Sequence, residues 1–216
     1  MFECVVVYLS NQKRVIKVCL NLLQRPRLIP KYFFYFLHKN SPLDLKLPWW
    51  SYDAISHIQK YRFTSSFEWG SGGSSLFLSK ISKKLTTVEN DIQWAKKLRD
   101  KITENGIVNI NLQEKNIDLS NPANFQKSEY FHALNKKHDL IAIDGEDHFG
   151  ADSSWSARVY CFKRAQHWIK HGGIIIVDDS WRYPEIIELS NAKSVLSFES
   201  VGPARTGVTS TDIHLY

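Results

Sequence analysis

Residues 63–83 read FTSSFEWGSGGSSLFLSKISK, and this stretch decides the fold. Phe63–Glu68 is a short run of aromatic and β-tolerant residues, as in a buried strand. Trp69-Gly70-Ser71-Gly72-Gly73 is a glycine-rich turn, and Ser74–Lys83 has the apolar spacing of a helix. A strand running through glycines into a helix brings backbone N–H groups together at a helix start. Glycine there lets the backbone approach a ligand closely. A tight structural turn would use the same residues, so the acids around it carry the functional reading. Glu68 ends the strand, where it would repel a pyrophosphate but accept hydrogen bonds from a cationic amino-acid ligand. Glu89 ends the next predicted strand, Leu85–Glu89, 21 residues later, where it could grip two ribose hydroxyls.

The same alternation continues outward. Asp91–Asn105 is a helix, with Trp94, Leu98 and Ile102 four apart and Gly106 as its stop. Ile107–Leu112 and His138–Asp144 are the third and fourth strands. Trp155–His171 is a helix, capped by Ser153 or Ser154 and ended by Gly172-Gly173. Ile174–Asp178 is the fifth strand, a continuous apolar run suited to a strand covered on both faces. Val195–Val201 and Thr209–Tyr216 follow with no helix between them and predict a hairpin. The stretch 113–137 is polar and ambiguous. Repeated βα units predict an α/β protein: a Rossmann-like, doubly wound sheet of seven strands, mostly parallel, with an antiparallel C-terminal hairpin strand. Ligands of such sheets lie beyond the carboxyl ends of the strands. Acids finish four of the first five strands: Glu68, Glu89, Asp144 and Asp178.

Residues 1–62 differ. Four of the seven prolines (Pro26, Pro30, Pro42, Pro48) cut them into short pieces, and Ser51–Tyr61 is the clearest helix. Residues 1–40 hold seven basic residues and one acid, which accounts for the whole net charge of +6. The remaining chain is neutral by count, which argues against nucleic acid bound across its face. The mixed basic and aromatic run Arg25–Leu37 suits a membrane surface, a cover over the pocket or a second subunit, and the last two are favoured. Oligomeric state stays open.

Cys4, Cys19 and Cys161 are sparse, odd in number and without a CxxC pair, which argues against a disulfide framework and a zinc site. With no basic, apolar leader at the start, the chain reads as cytoplasmic, with peripheral membrane contact by residues 1–40 left open. Tyr32–Leu37 is too short to span a bilayer.

Phe67-Glu68-Trp69-Gly70-Ser71-Gly72-Gly73-Ser74 followed by Thr87-Val88-Glu89 resembles the first two motifs of class I S-adenosylmethionine-dependent methyltransferases. Ile143-Asp144-Gly145, Gly172–Asp179 and the terminal hairpin are similar to the family's later motifs. The resemblance spans about residues 47–216, and Leu47–Tyr52 looks like the lead-in of a bacterial subgroup. With the change in pattern at residue 63, the chain divides into an N-terminal basic, aromatic helical extension (1–62) and an S-adenosylmethionine-binding methyltransferase domain (63–216). The resemblance implies cofactor contacts from Glu68, Gly70, Ser71, Gly72, Glu89, Asn90, Asp144 and Gly145. The adenine contacts stay unplaced.

Asp144, Asp178 and Asp179 form a second constellation. Three carboxylates at adjacent strand ends could hold Mg²⁺, as in some O-methyltransferases of the family, whose third ligand is commonly Asn where this chain has Asp179. Alternatively Asp144 positions cofactor or acceptor, and Asp178-Asp179 cap the next helix. His148, four residues past Asp144, is a candidate general base. The expected catalytic residues are thus Asp144, His148 and Asp179, with the metal-free mechanism favoured. Arg182 and Arg205 could hold an anionic group of the acceptor. A small-molecule or glycan-precursor acceptor, methylated on oxygen, fits best. The rivals are a non-catalytic binding protein of the same fold and an NAD-dependent oxidoreductase. The latter is weaker because GxGxxG fails at Ser75 and there is no room for a separate substrate domain.

Overall fold

The computed structural model describes residues 2–38, 40–147 and 154–216, with the backbone alone for residues 2–12 and Phe36. The chain opens with α1 (Phe2–Gln24) and α2 (Ile29–His38), followed by α3 (Pro42–Leu45) and α4 (Tyr52–Ile58). Ser51 caps α4 by accepting a hydrogen bond from the Ala54 N–H. Then come β1 (Phe63–Trp69), α5 (Gly73–Ile81), β2 (Ser82–Glu89), α6 (Ile92–Glu104) and β3 (Ile110–Glu114). Two single-turn helices, α7 (Pro122–Phe125) and α8 (Glu129–His132), fill the ambiguous stretch. They bring Phe125, Tyr130 and Phe131 into the core. The second half is β4 (His138–Ile143), α9 (Ala157–Trp168), β5 (Ile169–Asp178), α10 (Glu185–Leu189), β6 (Ser194–Val201) and β7 (Val208–Leu215).

The seven strands lie in the order β3-β2-β1-β4-β5-β7-β6. β1 to β5 are mutually parallel, and β7 runs antiparallel between β5 and β6. The chain departs to opposite sides from β1, which pairs with β2 on one edge and β4 on the other. That reversal opens a crevice at the carboxyl ends of β1 and β4. Side chains alternate across the sheet. Leu140, Ala142, Ile174 and Ile176 pack with Trp50, α4 and α5 on one face. Ile141, Ile143, Ile175 and Val177 pack with α8 and α9 on the other.

Several boundaries differ from expectation: Ser82 and Lys83, read as helix, begin β2, and three other differences have a local reason. The third strand starts at Ile110, because Ile107 is used by the C-cap of α6. Its N–H donates to the Ile102 carbonyl at 3.0 Å, and Gly106, at φ +61°, donates to Thr103. The Asn109 amide then pins the strand entry by donating to the Ser79 and Ser82 carbonyls. The helix expected over 155–171 spans 157–168, capped by Ser156, whose hydroxyl accepts from the Val159 N–H. It stops at Trp168 because Ile169 pairs with His138 in the sheet and is buried there. Gly172-Gly173 therefore lies inside β5 and does not end a helix.

α1 and α2 lie against the β6–β7 side. Val18, Leu22, Leu28 and Tyr32 join the core on that face. Asn21 pairs with edge strand β6, donating to the Glu199 carbonyl and accepting from the Val201 N–H. This covers part of an otherwise open edge. Arg25 and Arg27 both reach Asp53 on α4. Among the described residues, no helix is long and apolar enough to cross a membrane.

Candidate active site

The glycine turn sits where β1, β2 and β4 end together. The Gly70 N–H donates to the Val88 carbonyl, and the Thr87 hydroxyl donates to the Gly70 carbonyl. Gly70 has φ +86°, and a Cβ there would stand 2.6 Å from the Asp144 carbonyl oxygen. Any side chain would push the turn off β4. Gly145 is equally constrained, since its Cβ would collide with the Tyr130 hydroxyl. Trp94, from α6, donates through Nε1 to the Ser71 carbonyl and lays its ring against Gly72.

Glu68 is completely buried beneath this turn. The Ser75 hydroxyl donates to its Oε2 at 2.6 Å, while Oε1 has no hydrogen-bond partner among the described residues. Burial pushes the Glu68 carboxyl up to about 7, against the opposing hydroxyl donors Ser74, Ser75 and Thr87. A buried acceptor left unpaired costs roughly 1–3 kcal/mol, so its retention points to a ligand donor. Glu89 is held differently. Its Oε2 accepts from the Ser71 N–H and hydroxyl, and its Oε1 from the N–H groups of Asn90 and Asp91. Burial raises its pKa, against these four donors. Glu68, Gly70, Ser71, Gly72, Glu89, Asn90, Asp144 and Gly145 thus share one corner of the sheet. The Asn90 amide also donates to Glu146, a link between the ends of β2 and β4 that the sequence did not flag.

Asp144 meets two groups that sequence reasoning missed. Trp50 donates to its Oδ2 at 3.2 Å, and the Arg158 guanidinium stands 3.6 Å from its Oδ1. Burial pushes the Asp144 carboxyl up to about 6, with Arg158 opposing. Arg158 also donates to the Gly145 and Asp178 carbonyls, so it ties β4 to β5. The signal was present: Arg158, Cys161, Phe162 and Ala165 follow the buried-face spacing of α9.

Asp178 and Asp179 have another fate. Arg205, from the β6–β7 loop, donates to Asp179 at 2.7 Å and to Asp178 at 3.0 Å. Thr209 and Thr211 donate to the same two carboxylates. Burial and the neighbouring Asp144 push Asp178 up. For Asp179 burial is outweighed by Arg205, which holds it below the usual range. The divalent ion that the sequence left possible at Asp144, Asp178 and Asp179 is therefore not supported. Guanidinium groups already face all three, and a dication would have to displace both arginines. Among the described residues, no group of three or more His, Cys, Asp or Glu side chains is arranged to hold a metal. The capping alternative is corrected too: Asp179, at φ +50°, precedes a 3₁₀ turn, Ser180–Arg182, without capping it through its side chain. His148 lies outside the described residues.

Strand order, the reversal at β1 and the acid-lined glycine turn together define the class I S-adenosylmethionine-dependent methyltransferase fold. No protein-family model matches the chain, and no curated protein matches it in sequence. Solved structures do share its fold. The O-methyltransferase from Bacillus cereus, in complex with S-adenosylhomocysteine, matches with a TM-score of 0.57 at 15% identity, over 74% of this chain and 77% of that one. The rRNA methylase from Streptococcus thermophilus matches at 0.50 and 12% identity, over 82% and 97%. A precorrin decarboxylase from Methanobacterium thermoautotrophicum matches at 0.52 and 13%, over 76% and 90%. Similarity at this level concerns the fold, which hosts more than one chemistry.

Proposed function

We propose that the chain is an S-adenosylmethionine-dependent methyltransferase acting on a small acceptor. The observation that carries this reading is the buried, unpartnered Glu68 Oε1 under a turn where Gly70 tolerates no side chain. These residues fit the cofactor. Glu68 would accept from its ammonium group, and Glu89 would exchange the Ser71 hydroxyl for the ribose hydroxyls. Gly70 to Gly72, Asn90 and Gly145 would supply the surrounding wall. An NAD reading is disfavoured by the buried acid at the turn, which would face a pyrophosphate.

Held by Glu68 and Glu89, S-adenosylmethionine would supply an electrophilic methyl carbon, with S-adenosylhomocysteine as the leaving group. The protein's part is to hold donor and acceptor in contact and to take the acceptor's proton. Asp144, pushed up to about 6, is mostly ionised at neutral pH and stands at the end of β4. It and His148 are the candidate bases. Asp179, engaged by Arg205 and Thr209, acts as their anchor and not as a base. Structural similarity to an rRNA methylase brings RNA among the fold's acceptors. The charge balance of residues 41–216, zero by count, favours a small molecule.

The test is release of S-adenosylhomocysteine across a panel of hydroxylated small molecules and RNA. Turnover with a small hydroxyl acceptor is expected. It should fall about 10²–10⁴-fold in whichever of Asp144→Asn and His148→Ala removes the base, and chelator should leave it unchanged. Turnover only on RNA, or full rates in both variants, would contradict the proposal.

A further inference from the structure

Beyond Asp179, on the β5 side of the site, a cavity of about 860 Å³ opens between α1, the 3₁₀ turn after β5 and the β6–β7 loop. That is the size of a small-molecule site. Its charged lining is Lys13, Arg14, Lys17, Arg182 and Arg205 against the single carboxylate of Asp179. Three of these cations are matched nearby: Lys17 pairs with Glu199 on β6, Arg205 with Asp178 and Asp179, and Arg182 with Asp179 at 3.9 Å. Lys13 and Arg14 meet no carboxylate among the described residues. Arg14 donates only to the neutral Thr206 hydroxyl, and Gly207 leaves the space that lets it do so. The cavity also has aromatic walls. Trp49 and Trp181 are half or more exposed, with Arg205 over one ring and Arg182 over the other. The exposed faces of these rings remain open to a ligand, and the cations without a carboxylate partner repel each other. An anion with a flat or apolar body suits both.

We infer that this cavity binds the phosphate or diphosphate group of a small acceptor, with the acceptor's body against Trp49 and Trp181. What the bound group is for rests on the methyltransferase reading, because Asp179 and Arg205 are shared with the proposed site; the binding itself does not. The cations line one half-open cavity of small-molecule size, which favours a compact phosphorylated molecule over a nucleic acid strand. The phosphate could belong to a soluble ester or to a lipid headgroup. α1 also exposes Ile16 and Leu20, and α2 exposes Phe33 and Leu37, apolar surface that a lipid could use.

The experiment is calorimetric titration of the full chain with inorganic pyrophosphate, paired with S-adenosylhomocysteine. Pyrophosphate should bind one to one and weaken with salt. Affinity should fall about tenfold or more in Lys13→Glu and in Arg14→Gln, with S-adenosylhomocysteine affinity unchanged. Lys13 is exposed and outside the packed core, so its variant reads the site even if Arg14→Gln loosens the loop. Phosphatidate-doped vesicles that bind, and that pyrophosphate displaces, would put the phosphate on a lipid. Pyrophosphate binding without vesicle binding would put it on a soluble ester. Absent pyrophosphate binding in a protein that binds S-adenosylhomocysteine would overturn the inference, as would equal binding in Lys13→Glu. Tighter, steeply salt-dependent binding of an RNA oligomer would overturn the small-molecule class. Pyrophosphate binding without S-adenosylhomocysteine binding would leave the cavity standing and remove the methyltransferase reading instead.

Discussion

At the carboxyl ends of β1 and β2, Glu68 and Glu89 are met, among the described residues, by hydroxyl and backbone N–H donors, and one Glu68 oxygen has no hydrogen-bond partner among them. At the end of β5, Asp178 and Asp179 are met by Arg205, 26 residues beyond Asp179 in sequence. Both regions show the same pattern, an acid closing a buried strand. The first keeps its acids available to a ligand with cationic or hydroxyl groups. The second spends its acids on orienting a guanidinium. A strand-end acid thus says where a ligand lies in this fold, and a distant cation decides whether the carboxylate itself can touch it.

The contrast breaks most visibly at Arg205. Arg205→Ala removes the cation that hydrogen-bonds both Asp178 and Asp179, Asp178 having a side chain only 1% exposed. Losing one partner of such a buried pair costs about 3–5 kcal/mol, readable by urea unfolding at neutral pH. The loss should shrink in acid, because Asp178 is already pushed toward its neutral form and protonation removes the unpaired charge. A loss no larger than for a surface arginine would erase the distinction between the regions.

The opposite behaviour is expected on the β1 side. Glu68 is pushed up to about 7 from 4.5 by burial, so the fold holds its proton more tightly than the unfolded chain does. Its contribution is most favourable below pH 4.5, is lost as the pH rises through 7, and is flat above. Glu68→Gln cannot ionise, so its stability relative to the parent should climb over that window, by up to about 3 kcal/mol. Paired unfolding curves at the two ends of the window check this. A constant difference would mean that Glu68 is ionised in the free protein. The smallest effect belongs to Asp91, which caps α6 by accepting from the Gln93 and Trp94 N–H groups. Asp91→Ala should cost about 1 kcal/mol of stability and leave S-adenosylhomocysteine affinity unchanged. Loss of affinity there would blur the line between an acid that caps a helix and one that holds a ligand.

Much of this was legible in the chain because the carriers are local. Glycines between strand and helix, an acid at each strand end and a hairpin without a crossover helix all read directly. What failed to read is non-local. Gly172-Gly173 looks like a helix stop, yet the pairing of Ile169 with His138 starts the strand five residues before Ile174. Asp178-Asp179 looks like a metal ligand pair, and only the folded β6–β7 loop brings Arg205 onto it. The spacing of α9 marks Arg158 as buried, but neither its partner nor that of Trp50 can be read locally: they reach Asp144 from α9 and from the lead-in to α4.

The central claim is that the β1–β2–β4 corner holds S-adenosylmethionine. It is tested most directly by titrating S-adenosylhomocysteine into the full chain and into Glu89→Ala, with folding of both checked by circular dichroism. Hydrogen bonds to a charged partner are worth about 1.5–3 kcal/mol. The expected result is saturable one-to-one binding by the parent and a roughly ten- to hundredfold loss in the variant. No binding by the parent, or the same affinity in a folded Glu89→Ala protein, would contradict the account.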